Sequence, residues 1–358
     1  MSEIESHKSV ESLAQQWASK YVKSLDINTS SQESGEHLSL SEIVSPRGRE
    51  KTAQKIMLSL RSISAKAWGK TEFLLSEEVK QHGIDPNIIN PWDIAADSFR
   101  IYQKALNVYT QQTSSRPLSL VMKLDQEADL LDQQALEVYT QQVGPEKLAT
   151  VISADIGAIR QKYTSIDPRL IGFVSMQFHY TSEMLKEELK PMEQKLVGAY
   201  FKVIDDHLYM PLQRAYQAAA THDYDSPVIS TVQTLLPNST QIAYNVRQRI
   251  IELFPKYHSM SGFLSDPIVK VSSIRDVEMF QVYLWVCALE GSLAAIQEEL
   301  FPLCVMLYPT LQVQWELVRQ MLYLLRYEIF DRLTPQQANT LMPYFEALSQ
   351  MFSSTVLG

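Results

Sequence analysis

Residues 167–227 concentrate the side chains of this chain that could do chemistry. Three of the seven histidines, His179, His207 and His222, and five of the seventeen tyrosines, Tyr180, Tyr200, Tyr209, Tyr216 and Tyr224, lie there. His179 and Glu183 stand four residues apart, so one helix face would carry both, a two-ligand arrangement for a metal or an anchoring pair for a cofactor. Asp205, Asp206 and His207 follow on the next predicted helix. Register argues against a shared coordination sphere. With the intervening turn centred near Lys190, an antiparallel partner puts His179 opposite Tyr200 or Phe201, and His207 falls about 10 Å further along. The Glu-x-x-His pairs of di-iron bundles are absent from these helices, and no HExxH or CxxC occurs anywhere. The sequence therefore predicts no metal, no cofactor and no catalytic residue. It leaves His179, Tyr180, Glu183, Asp205, Asp206 and His207 as a polar core or contact surface, with small-molecule, pigment or metal binding by the 167–227 segment as the alternative. The cluster Thr221–Pro227 reads as a turn in which Asp225 or Ser226 caps the next helix.

The elements that must position these residues are helical. From Arg47 onward apolar residues recur at helical spacing, predicting about ten to eleven helices and little or no β structure: an all-α, multi-helix bundle. Helices are expected near 49–67, from Asn90-Pro91 to about 112, and over 118–142, where Val121, Leu124, Ala128, Leu131, Ala135 and Val138 form a seam. Others are expected near 146–163, as a pair opened by Asp167-Pro168 and Pro191 with a kink at Pro211, and near 227–236, 239–254, 275–299, 310–332 and 335–352. Thr334 and Gln337 form a capping-box pattern at the start of the last. Within the loop 255–273, Pro-Ile-Val-Lys-Val reads as one short strand. ALNVYTQQ (105–112) and ALEVYTQQ (135–142) echo each other. If both close consecutive antiparallel helices, the copies stand about 30 Å apart and cannot form one site.

Residues 1–46 read as an amphipathic helix, with Leu13, Trp17 and Tyr21 on one face as candidate docking residues, followed by a Ser/Glu-rich flexible linker. The helix is either tethered for a partner or folded back on the body at 47–358. A sub-boundary in that body falls near 164–167. The stretch 47–70 is basic, with Arg47, Arg49, Lys51, Lys55 and Arg61 leading it and Glu50 the single acid. It is either a face for an anionic partner or membrane surface, or a solvated face paired internally.

Bulk properties exclude several functions. The 11 glycines lie over a dozen residues apart, so no glycine-rich phosphate loop can form. A net charge of −9 disfavours nucleic-acid binding. Cys287 and Cys304 sit in apolar runs as small hydrophobes. The N-terminus lacks a signal-peptide pattern and no stretch is long enough to span a bilayer, which together predict a cytoplasmic protein, with peripheral membrane contact allowed.

The blocks DPRLIGFVSMQFHYT (167–181), YFKVIDDHLYMPLQRAY (200–216) and SSIRDVEMFQVYLWVCALEG (272–291) resemble a conserved all-helical protein of photosynthetic bacteria, from about residue 50 onward. The resemblance implies a housekeeping or photosynthesis-related role as an accessory factor and brings no catalytic residues. The leading expectation is a non-enzymatic protein that works through a protein partner, as a scaffold, assembly or regulatory factor.

Overall fold

The computed structural model describes residues 13–21, 40–111 and 136–358. Of these, 82% are helical and 1% lie in strands. The helices are α1 (residues 13–21), α2 (Leu40–Val44), α3 (Pro46–Gln81), α4 (Pro91–Tyr109), α5 (residues 136–143), α6 (Pro145–Thr164), α7 (Leu170–Glu187), α8 (Pro191–Tyr209) and α9 (Leu212–Ala219). They continue with α10 (Pro227–Leu235), α11 (Ser239–Leu253), α12 (Pro267–Glu290), α13 (Phe301–Thr310, entered through a π-helical turn at Ala295–Leu300), α14 (Trp315–Phe330), α15 (Pro335–Met351) and the short α16 (Ser354–Leu357). The expected linker over 26–46 and seam over 118–142 fall largely outside the described residues, but the described end of the linker is helix α2, with Leu40, Ile43 and Val44 buried.

Local chemistry sets the boundaries. Asn90 Oδ1 accepts from the backbone N–H groups of Trp92 and Asp93 at 3.1 and 3.3 Å, opening α4. Ser226, rather than Asp225, caps α10 by accepting from Ile229 N–H. Thr334 and Gln337 form the reciprocal capping box of α15. Pro211 separates α8 from α9 where its ring would clash inside a continuous helix.

Several expected boundaries move: the helix expected near 275–299 ends at Glu290, where Gly291 takes the left-handed conformation at φ +62°, and α13 fills part of the gap before 310. Helix α3 runs past Gly69 to Gln81, because a glycine on an exposed face costs only about 1 kcal/mol and Leu75 and Glu78 still bury. Pro267-Ile268-Val269-Lys270-Val271 is not a strand but the first turn of α12, with Pro267 at the first helical position. The strands are instead β1 (His258–Ser259) and β2 (Gly262–Phe263), a small antiparallel hairpin just upstream. Its turn requires Gly262, which has φ +128° and where a Cβ would stand 2.5 Å from the Asp266 carboxylate. That carboxylate accepts from Phe263 N–H at 2.9 Å.

The core is organised around two long helices. α7 packs along α3, with Gln177 donating to the Ser64 carbonyl at 2.9 Å. α12 is buried on every side from Val277 to Leu289, which explains why that run shows no amphipathic period. Helices α9, α10, α11 and α15 surround it. α1 folds back onto α12, the second of the two arrangements that the sequence left open. Trp17 lies edge-on to Trp285 with centroids 6.1 Å apart, and Tyr21 stacks on His207 at 6.5 Å. Lys20 bonds Glu278 at 2.6 Å, and Thr240 bonds the same carboxylate oxygen at 2.6 Å. Leu13, Trp17 and Tyr21 are therefore spent on the chain's own core.

The repeated ALxVYTQQ segments are not 30 Å apart. Tyr109 and Tyr139, equivalent positions of the two copies, meet edge to face at 6.3 Å, and Tyr109 also packs on Tyr200 at 5.2 Å. The C-terminal ends of α4 and α5 both meet α8, where Tyr200 packs on Tyr109 and donates to the Val143 carbonyl.

Candidate functional site

Between α7, α8, α11, α12 and α14 lies a mainly apolar cavity of about 270 Å³. Val246 and Ile250 of α11, Val269 and Val277 of α12, Leu311 and Val313 after α13, and Val318 and Met321 of α14 form its walls. The β1–β2 hairpin supplies Ser259, Met260 and Ser261 at the rim. The hairpin is fixed there by Met260 N–H donating to the Leu311 carbonyl at 3.0 Å and by Tyr257 Oη donating to the Gln312 carbonyl at 2.8 Å. A second, more polar cavity of about 410 Å³ lies between α7, α8 and the start of α12. His179, Ile268, Ser272 and Arg275 line both, so the two adjoin at that point.

The junction carries unusual polar groups. Arg275 lays its guanidinium 3.7 Å over the Tyr209 ring and reaches Asp276 at 3.3 Å, while its buried Nε has no hydrogen-bond partner. Burial alone would lower its pKa; Tyr209, Asp276 and Asp205 more than offset that and keep it charged. Burial pushes the Asp205 carboxyl up to about 7, with Arg275 opposing and Asp206 adding to the rise. Its Oδ1 has no partner. Burial, reinforced by Arg275, brings His179 down to about 4, so its ring is neutral near pH 7, and its Nδ1 is also unpartnered. Arg247 in the apolar wall donates to the Leu264 carbonyl at 2.5 Å, but its Nε is unsatisfied and no carboxylate pairs with it among the described residues. Buried donors and acceptors are ordinarily satisfied. Of these four residues Arg247 lines the first cavity, Asp205 the second, and His179 and Arg275 both, so donors and acceptors are spread along the adjoining pair.

The structure sorts the expected residues. His179, Tyr180, Glu183, Asp205 and Asp206 all line one or both cavities. Glu183 is held by Lys186 at 2.5 Å, and Asp206 by Lys202 at 2.8 Å. His207 lies apart, its Nδ1 2.8 Å from the Val203 carbonyl and its ring under Tyr21. Among the described residues no group of three or more His, Cys, Asp or Glu side chains is arranged to hold a metal ion.

Most of the expected basic face is engaged internally. Arg49 is only 1% exposed, bonding the carbonyls of Val44 at 3.1 Å and Tyr109 at 2.6 Å. Lys55 pairs with Glu193 at 2.7 Å, and Lys51 lies 3.9 Å from Glu42. Arg47 and Arg61 remain exposed.

Sequence reasoning missed Arg275 and Arg247 as site residues and placed Tyr209 only within the tyrosine-rich segment. The available signal was the Arg275-Asp276 pair immediately before the fully buried run 277–289 of α12.

An all-helical bundle with a polar-ended cavity defines the class of protein. Residues 205–352, less than half of the chain, match the family whose description is "Phycobilisome protein". The matched span covers α9 to α15 and most of the wall of the apolar cavity. This likeness accords with a helical, photosynthesis-related protein. No curated protein and no solved structure matches the chain. No helix among the described residues is long and apolar enough to cross a membrane.

Proposed function

We propose that the chain is a non-enzymatic, photosynthesis-related binding protein that holds an elongated anionic organic molecule, of the linear-tetrapyrrole class, in the two adjoining cavities. The carrying observation is the set of buried, unpartnered atoms at their junction: Asp205 Oδ1, His179 Nδ1 and Arg275 Nε. A linear tetrapyrrole presents pyrrole N–H groups to acceptors of this kind and a carboxylate to Arg275, whereas Lys186 and Lys202 nearby are paired with Glu183 and Asp206. When bound it would supply visible-light absorption; the chain's residues bind, orient and exclude water.

The residues fit such a molecule held non-covalently and do not fit covalent attachment through a thioether. Cys287 and Cys304 line neither cavity and are buried. Burial pushes the Cys287 thiol up to about 11 and raises Cys304 well above its ordinary range, so neither supplies a thiolate near pH 7. The hydroxyls of Ser272 and Ser273 stand at the cavity wall instead.

Native mass spectrometry of the chain isolated from a photosynthetic host tests this. We expect a guest mass that is present under native conditions and lost on denaturation. The bare polypeptide mass in both states, or a guest that survives denaturation, contradicts the proposal.

The alternative, action through a protein partner, is supported by one separate surface on α3.

A further inference from the structure

We infer that the exposed face of α3 is a docking surface for an acidic amphipathic helix of a partner protein. α3 is 36 residues long, and one side of it packs on α4 and α7. The opposite side carries Leu58 and Phe73, each 88% exposed. They stand fifteen residues apart on one stripe, about 22 Å or four turns along the axis. Between them at helical spacing are Ser62, Ala65 and Gly69, with one acid, Glu72, at the margin beside Phe73, and a Cβ added at Gly69 would meet nothing within 4 Å. Two large apolar residues left in water at either end of a flat floor cost free energy that a covering helix would recover, and small side chains let its backbone come close.

Charge selects the occupant. Arg61 and Lys66 flank the stripe, exposed and without an ion pair among the described residues, whereas Lys55 upstream is committed to Glu193. A second copy of this chain would set these cations against each other. A bilayer surface is matched by a continuous bulky apolar face, which this floor of Ser, Ala and Gly is not. A helix with acids flanking an apolar seam meets both features, with charge setting specificity and apolar anchors most of the affinity.

The test uses the full chain and a fluorescein-labelled peptide of about 20 residues, long enough to form a helix across four turns, with Leu on one face and Glu flanking it. Anisotropy should show saturable binding. It should weaken at least tenfold in the Leu58→Ser/Phe73→Ser variant, and at least tenfold when Lys replaces Glu in the peptide. Both substituted positions are solvent-exposed, so unchanged circular dichroism keeps the variant interpretable. Absence of binding, or binding indifferent to both changes, overturns the proposal. So does co-sedimentation with anionic phosphatidylserine vesicles that depends on Leu58 and Phe73, or a dimer in sedimentation that the same variant abolishes.

Discussion

Replacing Asp205 by asparagine should make the protein more stable at alkaline pH and leave it unchanged in acid. Asparagine keeps the shape of the side chain and removes its charge. In the folded protein burial raises the Asp205 carboxyl from 3.8 to about 7. A folded-state pKa above the unfolded value means that the folded chain binds the proton more tightly. The associated stability is fully present below about pH 4 and is lost as pH rises through about 7. At about 1.4 kcal/mol per unit the full shift corresponds to about 4 kcal/mol. The carboxyl forms the wall of an open cavity and is not wholly shielded, so solvent screening reduces the expected effect to about 1–2 kcal/mol. Urea unfolding followed by circular dichroism, for both proteins from pH 4 to pH 8, measures the difference directly. The two curves should coincide near pH 4 and separate in favour of Asp205→Asn by pH 8. A difference that stays constant with pH would show that folding does not shift the Asp205 carboxyl, and a wild type that is the more stable at pH 8 would show that it is charged and partnered.

Three further outcomes follow from the same packing. Trp17→Ala removes a buried ring that meets Trp285, Lys20 and Tyr21 together, and should cost about 3–5 kcal/mol in denaturant unfolding; a loss below about 1 kcal/mol would mean that α1 is not part of the cooperative core. Glu278→Gln strips the carboxylate that binds Lys20 and Thr240 and should cost about 3 kcal/mol, largely restored when Lys20→Met is added. Burial would raise the Glu278 carboxyl, but Lys20 and Lys202 depress it below its ordinary range, so its stabilisation is present above that range and is lost as pH falls through the depressed pKa; a wild-type minus Glu278→Gln difference that does not shrink in acid contradicts this. Gly262→Ala forces an unfavourable φ and a contact with Asp266, and should destabilise by about 1–3 kcal/mol while loosening the cavity rim, as read by hydrogen exchange at Met260.

The helical bundle was legible because its signals are local. Proline at first helical positions, the Thr334–Gln337 box and the 3.6-residue period each depend on a few neighbouring residues. What the sequence withheld is long-range. Leu13, Trp17 and Tyr21 look the same whether they await a partner or cover α12, because amphipathicity names a buried face and not what buries it. The tyrosines at 109 and 139 meet only through the packing of α4, α5 and α8, which residue spacing does not encode. The turn near Lys190 lies where the sequence places it, between Glu187 and Pro191. The cavity was invisible for a different reason. Its polar end joins α7, α8 and α12, so Arg275 meets Asp205 and His179 only through tertiary packing, seventy or more positions from either in sequence. Arg49 carried the opposite lesson: it reads as one member of a basic face, yet three carbonyl oxygens hold it inside.

The most direct measurement is an absorbance titration of the full chain with biliverdin, a linear tetrapyrrole dicarboxylate, alongside Arg275→Met. Wild-type chain should bind one equivalent non-covalently, with a shifted visible band. Arg275→Met, folded by circular dichroism, should bind at least tenfold more weakly because a buried carboxylate then loses its cation. No spectral change with the wild type, or equal affinity in the two proteins, would contradict binding at the junction of His179, Asp205 and Arg275.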